Sequence, residues 1–192
     1  MKILIACEFS GIVREAFKAK GHDAWSCDLL PTEIPGQHIQ GDVLAILDNG
    51  WDMMIAHPPC TYLSNAGARF LYPKGTLNKE RLALGLDAKD FFLKLYNSNI
   101  PKVCIENPTP SKVFGIPKCT QIIQPSFFGH AMQKRTCLWL RNLPELLPTE
   151  IIEIAQSTKV AGNWFNKGGK DRQKNRARTF PGIANAMAEQ WG

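Results

Sequence analysis

A cysteine that follows two prolines is the first feature of this sequence that suggests chemistry. Cys60 comes directly after Pro58 and Pro59, and the three residues follow a short apolar run, residues 52–56. Two prolines fix the backbone and hold the next side chain in a set direction. An accessible thiolate presented in this way can act as a nucleophile. A buried structural thiol after a rigid turn is the alternative, and the prolines make us favour the nucleophile.

The carboxyl group of Glu106 is a second reactive group. It stands in a Glu-Asn-Pro segment after another apolar run, residues 102–105. A partly desolvated carboxyl group at a strand end can retain or donate a proton, although an isolated glutamate there is more often a solvated loop acid. Because Cys60 and Glu106 both follow buried strands, we expect them to lie at neighbouring strand ends and to act on one substrate.

The N-terminal part of the chain has the pattern of a ligand-binding turn. Gly11 lies between an apolar strand and a helical pattern, where glycine allows close approach of a ligand to a helix N-terminus with free N–H groups. Asp28 closes the second strand, where a carboxylate can accept hydrogen bonds from ribose hydroxyls, and Asp42 precedes the third. A tight turn and two loop caps are the alternatives. Val13 stands where a further glycine would complete GxGxxG, so a dinucleotide is not the expected ligand.

Strands alternate with helices along the chain, and this order predicts an α/β fold with a sheet covered on both faces. The predicted strands are residues 2–7, 23–27, 52–56, 102–105 and 134–140, and the predicted helices are residues 11–20, 81–97 and 183–191. Ligands of such sheets bind beyond the carboxyl ends of the strands. Four strand ends carry the residues described above, so we expect them to meet in one crevice.

The composition is that of a globular domain with a basic surplus. The chain has 192 residues, 44% hydrophobic and 21% charged, with a formal net charge of +6. The charge favours a polyanionic partner such as nucleic acid. No apolar run approaches a membrane span, and no secretion signal accompanies the six cysteines, so we expect a cytoplasmic protein with reduced thiols. No CxxC pair occurs, and we expect no metal site.

Basic residues crowd into one segment near the C-terminal end, with only Asp171 opposing them. We expect this segment to contact phosphates, which dominate nucleic-acid affinity, whereas a solvated surface loop is the alternative. Trp164 and Phe165 upstream could stack on a base or anchor the segment in the core. The basic residues are Lys167, Lys170, Arg172, Lys174, Arg176 and Arg178.

Residues 61–77 form a long stretch with two glycines, a proline and little periodicity. Loops of this length often close over ligands. We therefore interpret the stretch as a lid, with Ser64 and Arg69 as candidate phosphate contacts.

The order of these motifs resembles that of the DNA cytosine carbon-5 methyltransferases. Pro-Pro-Cys followed by Glu-Asn-Pro is the specific part of the resemblance, which is spread over most of the chain. Residues 178–188 resemble the last conserved block of that family. The other matching segments are, in order, Phe9-Ser10-Gly11, Asp28, Gly41-Asp42-Val43, Pro58-Pro59-Cys60, Glu106-Asn107-Pro108 and Gln133-Lys134-Arg135.

The resemblance implies a class I S-adenosylmethionine-dependent methyltransferase fold, a Rossmann-like three-layer sandwich, formed by residues 1–192 as a single domain. S-adenosylmethionine would be the cofactor, with Asp28 at its ribose and Asp42 at its adenine. The residues lining the rest of the cofactor site would be Phe9, Ser10, Gly11 and Pro58.

The resemblance also implies a covalent mechanism. Cys60 would attack carbon 6 of cytosine while Glu106 holds and protonates ring nitrogen 3, and Arg135 would belong to the same catalytic group. Carbon 5 then takes the methyl group, and loss of its proton expels Cys60. Amino-group methyltransferases use an Asp/Asn-Pro-Pro-aromatic loop instead, and His57 followed by Pro-Pro-Cys argues against them.

The sequence departs from the family in two places. The family pattern Gln-x-Arg-x-Arg has Cys137 in place of its second arginine, and only residues 141–175 remain for a target-recognition segment. We expect DNA as the partner, either single-stranded or bound with the help of an accessory protein. The oligomeric state stays open. The same chemistry on RNA or a free pyrimidine nucleotide is one alternative, and a non-catalytic nucleic-acid-binding protein with this fold is another.

Overall fold

The structure, a computed structural model, describes residues 1–154 and 172–192, without the side chains of residues 172 and 173. Seven strands form one sheet, and five α-helices lie within the described residues. The strands are β1 (Lys2–Ala6), β2 (Asp23–Asp28), β3 (His38–Gln40), β4 (Met53–Ala56), β5 (Lys102–Pro108), β6 (Gln121–Ile123) and β7 (Thr136–Arg141). The helices are α1 (Ile12–Ala19), α2 (Asn65–Ala68), α3 (Lys79–Tyr96), α4 (Arg172–Ala177) and α5 (Pro181–Trp191).

The sheet is mostly parallel, and its strand order is β3-β2-β1-β4-β5-β7-β6. The pairs from β3 through β5 are parallel, and β7 is antiparallel to both β5 and β6. The chain builds outward from β1 through β2 to β3, and then returns to the other side of β1 with β4. The order therefore reverses between β1 and β4, where the crevice of such a sheet binds ligands. The α/β prediction is confirmed, in an arrangement compatible with a Rossmann-like fold.

Each face of the sheet is covered by its own hydrophobic cluster. On one face, Ile3 and Ile5 belong to a cluster with Phe17 of α1 and Met187 of α5. On the other face, the cluster includes Phe92 of α3. Alternate residues of each strand enter opposite clusters, because successive side chains of a strand point to opposite faces. The central strands are buried on both sides, which explains their continuous apolar runs.

The bounds of two strands differ from the sequence-based expectation, and two short strands were not expected. β5 was expected to end at Ile105, but it continues to Pro108 because Glu106 and the two residues after it pair with β7. The predicted strand at residues 134–140 begins at Thr136. The strands β3 and β6, three residues each, were not predicted, because so short a segment has too few residues to show a period of two.

The helix predicted at residues 81–97 begins two residues earlier, at Lys79. Asn78 caps it, and its side-chain oxygen accepts a hydrogen bond from the backbone N–H of Arg81 (2.9 Å). Among the described residues, no helix combines the length and the apolar character needed to cross a membrane.

Candidate functional site at the carboxyl ends of β1, β2, β4 and β5

The turn between β1 and α1 requires an unusual backbone. Cys7 has a φ of 58° and Gly11 has a φ of 77°, so both lie in the left-handed region. A β-carbon on Gly11 would stand 2.7 Å from the guanidinium of Arg14, which is fully buried. Glycine is therefore needed at this position for both conformation and space.

Glu8 occupies the N-terminus of α1. Its carboxylate accepts hydrogen bonds from the backbone N–H groups of Val13 (2.7 Å) and Arg14 (3.3 Å) and from the hydroxyl of Ser10 (3.1 Å). The hydroxyl of Ser10 in turn accepts from the N–H of Ile12 (3.3 Å). The expectation that this helix offers free N–H groups to a ligand is wrong, because side chains of the turn already bind its first three.

The two aspartates of the predicted cofactor end lie near the same thiols. Burial, and then the charges of Asp28 and Asp42, raise the pKa of Cys27 to about 11, and they also raise the pKa of Cys7. Each aspartate binds a local backbone N–H through one oxygen, Asp28 that of Leu30 (2.9 Å) and Asp42 that of Leu44 (3.0 Å). The two carboxylates therefore converge on the turn after β1, and they also serve as the loop caps that the sequence left as an alternative.

Phe9 is buried beside the start of the C-terminal helices. The ammonium of Lys174 lies 5.3 Å from the centre of its ring, and the guanidinium of Arg178 lies 5.9 Å away. Both cations bind Glu33, Lys174 at 2.9 Å and Arg178 through two nitrogens at 2.6 and 2.8 Å. Hydrogen bonds from Arg178, more than any other cause, lower the pKa of Glu33 to about 2. This cluster joins the loop after β2 to α4.

The Pro-Pro-Cys segment continues from β4 and is held from both neighbouring strands. The N–H of His57 donates to the carbonyl of Ala6 (2.9 Å), which extends the pairing of β4 with β1. On the other side, the side-chain amide of Asn107 donates to the carbonyl of Pro58 (3.0 Å). Pro58 is buried, Pro59 is exposed and Cys60 is partly exposed, so the segment brings the thiol toward the surface at the end of β4.

The environment of Cys60 combines burial with charges of both signs. Burial raises the pKa of its thiol above the ordinary value, and the negative charge of Glu106 raises it further. The positive charges of Lys134 and Arg176 act in the opposite direction. Cys60 and Glu106 are therefore close enough to interact, as the sequence predicted, and the thiol at rest is in its neutral form.

Glu106 lies in a site that favours its charged form. Burial acts to raise the pKa of its carboxyl group, but the hydrogen bond from His57 and the charge of Lys134 outweigh burial and lower the pKa. Oε2 of Glu106 lies 3.1 Å from Nδ1 of His57, and the Glu106 side chain is only 16% exposed. A buried, ionised carboxylate beside a thiol can hold a polar ring or exchange a proton with it.

Lys134 is a residue of this site that sequence reasoning did not select. Its charge lowers the pKa of both Glu106 and Cys60, and its ammonium donates to the backbone carbonyl of Arg176 (3.3 Å). Arg135, which was selected, is exposed and donates from Nε to the hydroxyl of Thr109 (3.2 Å). The only signal for Lys134 was its position beside Arg135 in the Gln-Lys-Arg motif.

The residues predicted to contact nucleic acid differ in their exposure to solvent. Ser64 is buried, and its hydroxyl caps α2 by accepting from the N–H of Gly67 (3.3 Å). Arg69 is exposed, with its guanidinium 4.6 Å from the ring centre of Phe70. Arg176 is exposed near Cys60. Lys170, Lys167, Trp164, Phe165 and the side chain of Arg172 lie outside the described residues.

Comparison with models of known protein families gives no match, and comparison with curated proteins gives none either. The geometry of the site is therefore the basis for assigning a function.

Proposed function

We propose that this protein transfers a methyl group from S-adenosylmethionine to carbon 5 of cytosine in DNA through a covalent adduct with Cys60. The strand order and the α/β layers are compatible with a class I methyltransferase fold. The motif order described above supports the cytosine carbon-5 subclass, and DNA is the substrate that this resemblance implies.

One observation carries the proposal, namely that Cys60, in the segment after β4, interacts with Glu106 of the adjacent strand β5. Glu106 raises the pKa of the Cys60 thiol through its charge, and Asn107, its neighbour in β5, binds the Pro-Pro segment. A binding protein needs neither a thiol nor an ionised carboxylate in this arrangement. A covalent methyl transfer to a pyrimidine ring needs both, because one group adds to the ring and the other controls a ring proton.

The proposed reaction explains the requirement for each group. Carbon 5 of cytosine is a poor nucleophile until Cys60 adds to carbon 6, since this addition places electron density on carbon 5. As Sγ bonds to carbon 6, the thiol of Cys60 loses its proton to water. Glu106, which is ionised at rest, holds ring nitrogen 3 and passes on to it the proton that neutralises the adduct. After methyl transfer, the proton on carbon 5 is lost to water, the bond between Sγ of Cys60 and carbon 6 breaks, nitrogen 3 returns its proton, Sγ takes a proton from water, and the methylated base leaves.

The residues of the β1–β2 end fit S-adenosylmethionine, which supplies the methyl group when bound. Asp28 and Asp42 provide carboxylate acceptors for ribose hydroxyls and for the adenine amino group. Leu29 and Leu30, which are 73% and 48% exposed, give apolar surface directly after Asp28. Gly11 gives the turn from β1 to α1 its left-handed backbone, and the space beside it is filled by Arg14 and Ile34. The α1 N–H groups do not contribute, because Glu8 binds them.

A phosphate-bearing substrate fits the charges around the thiol. Lys134 and Arg176 both act electrostatically on Cys60, although Glu106 and burial outweigh them. A base in a duplex cannot reach Cys60 while stacked, so it has to be flipped out at a cost of a few kcal/mol. An unpaired cytosine avoids this cost, and we expect single-stranded DNA to be methylated faster than duplex DNA.

The test is incubation with methyl-labelled S-adenosylmethionine and single-stranded DNA, duplex DNA, RNA or free deoxycytidine nucleotides, followed by mass spectrometry of the nucleosides. We expect 5-methylcytosine in DNA from the wild type and none from Cys60→Ser. Cys119→Ser is the matched control, because Cys119 is also partly exposed, and it should keep wild-type activity.

Each outcome decides between the candidate functions. Methylation of RNA or of free nucleotides with none of DNA would replace the substrate and keep the chemistry. Methylation at the exocyclic amino group, or full activity of Cys60→Ser, would exclude the covalent mechanism. Nucleic-acid binding without methylation of any substrate would leave a binding protein with this fold.

A further inference from the structure

His57 lies between two acidic side chains that come from different strands. It directly follows β4, which is flanked in the sheet by β1 and β5. Glu106 of β5 lies 3.1 Å from its Nδ1, and the charge of His57 acts on Glu8, which lies two residues past the end of β1. The three side chains are largely shielded from solvent, with that of His57 only 5% exposed. A histidine thus joins the proposed acid to a second buried carboxyl group.

The second ring nitrogen of His57, Nε2, is buried without a hydrogen bond among the described residues. The carboxylate of Glu8 is already bound to the start of α1, so it supplies charge to the ring and no hydrogen bond. An unpaired buried polar atom destabilises the folded protein, and buried ionisable groups of this kind concentrate at functional sites.

Because Glu106 is ionised, the proton that it would give to the ring has to come from another group, and His57 is its neighbour. A carboxylate without a proton cannot give one to a ring nitrogen. Histidine is the side chain that most readily carries an exchangeable proton near neutral pH. With its proton on Nδ1, the ring of His57 donates directly to the oxygen of Glu106 that has to be protonated.

We propose that His57 is a positioning residue for Glu106 and shares with it the proton that the cytosine ring receives. This inference rests on the proposed function. It gives the residue before Pro-Pro-Cys a role in the reaction, and it treats His57 and Glu106 as one acid with a common proton. The other titratable groups that face this pair are Glu8 from the turn after β1, Lys134 from the segment before β7, and Cys60 from the same loop.

The shared proton leaves this pair and later returns to it. When the bond between Sγ of Cys60 and carbon 6 forms, the thiol proton goes to water, the doubly protonated ring of His57 gives its Nδ1 proton to the carboxylate of Glu106, and Glu106 gives a proton to nitrogen 3. When that bond breaks after methyl transfer, nitrogen 3 returns a proton to Glu106, Glu106 returns one to His57, and Sγ takes a proton from water. No electrons leave the substrate in these steps.

The experiment compares two substitutions of His57, one that keeps an N–H donor and one that removes it. His57→Asn keeps an N–H donor near the position of Nδ1 but cannot hold an additional proton, whereas His57→Phe keeps ring volume and removes the donor. His22→Asn is the control, because His22 lies before β2 at the opposite end of the sheet. For each protein, kcat and KM are measured against pH with the DNA substrate.

We expect His57→Phe to lower kcat by about a hundredfold, with KM for both substrates within about threefold of the wild type. His57→Asn should recover most of kcat near pH 5.5, and the break at which its activity falls with rising pH should move to lower pH. That shift reports loss of the shared proton, which a purely structural role would not change. An unchanged profile in His57→Asn, or full activity of His57→Phe, overturns the proposal.

Nitrogen-15 spectra of histidine-labelled protein test the same pair without turnover. The chemical shift of Nδ1 of His57 should differ between the wild type and Glu106→Gln, because the group that it faces changes from a carboxylate to an amide. Equal chemical shifts overturn the shared proton. If this difference is found in a protein that methylates no substrate, the proposed function fails while the pairing of His57 with Glu106 stands.

Discussion

The side-chain amide of Asn107 donates a 3.0 Å hydrogen bond to the backbone carbonyl of Pro58. This bond joins β5 to the segment that presents Cys60, and Asn107 is adjacent to Glu106 in the chain. The two residues with which we propose the chemistry are therefore held in a fixed relation by one contact between their immediate neighbours. Burial of Asn107, at 3% exposure, shields this contact from competing water.

Asn107→Ala should destabilise the protein and slow the reaction. The buried carbonyl of Pro58 loses its donor, at a cost of about 1–3 kcal/mol. The loss should be near the lower limit, because Oδ1 of Asn107, which is buried without a partner among the described residues, is removed as well. Urea unfolding gives the stability, and the rate of covalent trapping by DNA containing 5-fluorocytosine gives the reactivity. Asn99→Ala, at an exposed position, should change neither, and trapping at the wild-type rate in Asn107→Ala would contradict the positioning role.

Asp28→Ala should weaken binding of S-adenosylmethionine and of its demethylated product. Loss of hydrogen bonds to a charged group costs about 1.5–3 kcal/mol, which corresponds to a roughly tenfold to hundredfold weaker affinity. Isothermal titration calorimetry measures both ligands, with Asp87→Ala on the exposed surface of α3 as the control. The absence of binding to the wild type would refute the methyltransferase proposal itself.

The reactivity of the Cys60 thiol should depend on pH and on two neighbouring charges. Since its pKa is raised, alkylation by iodoacetamide should be slow at pH 7 and should accelerate at a pH above the range of an ordinary thiol. Glu106→Gln removes a charge that raises the pKa, so it should speed alkylation at pH 8, and Lys134→Gln should slow it. Peptide mass spectrometry separates Cys60 from the other cysteines. A slower reaction in Glu106→Gln would mean that the two side chains do not interact as described.

The basic segment should contribute unequally to binding of DNA. Arg176 is exposed, whereas Lys174 is paired with Glu33, so we expect Arg176 to make the phosphate contact. Arg176→Gln should reduce the slope of log affinity against log salt by about 0.9 on duplex DNA, the value for one phosphate contact, and Lys174→Gln should change the slope less. Lys94→Gln on α3 is the control. Equal slopes for the wild type and Arg176→Gln would indicate that this arginine is only solvated.

The α/β fold could be predicted because its central strands have long apolar runs and its main helices have clear periodicity. The extension of β5 to Pro108 could not, since it depends on pairing with β7, which lies about thirty residues further along the chain. Strand pairing of this kind leaves no local pattern. For the same reason, the position of Glu106 inside a strand was invisible from the sequence.

The candidate site was predictable where one residue type stands out, as with Cys60 after two prolines. The roles of Glu8 and His57 could not be read in the same way, because each depends on partners brought near by the fold. Glu8 binds N–H groups of the helix that follows it, and His57 contacts a carboxylate 49 positions away in the chain. The sequence alone did not distinguish Lys134 from Arg135, because the two residues are adjacent and carry the same charge.

The packing of α1 against α5 has a consequence for synthesis of the chain. Phe17 and Val13 of α1 share a core with Ile183, Met187 and Trp191 of α5, and the two helices are separated by most of the sequence. At translation rates of roughly 5–20 residues per second, α1 leaves the ribosome on the order of ten seconds or more before α5 does. During that interval the apolar face of α1 lacks its partner. A chain that stops before Pro181 would therefore keep this face open to chaperones, proteases and aggregation, even with every residue from Cys60 to Arg135 already made.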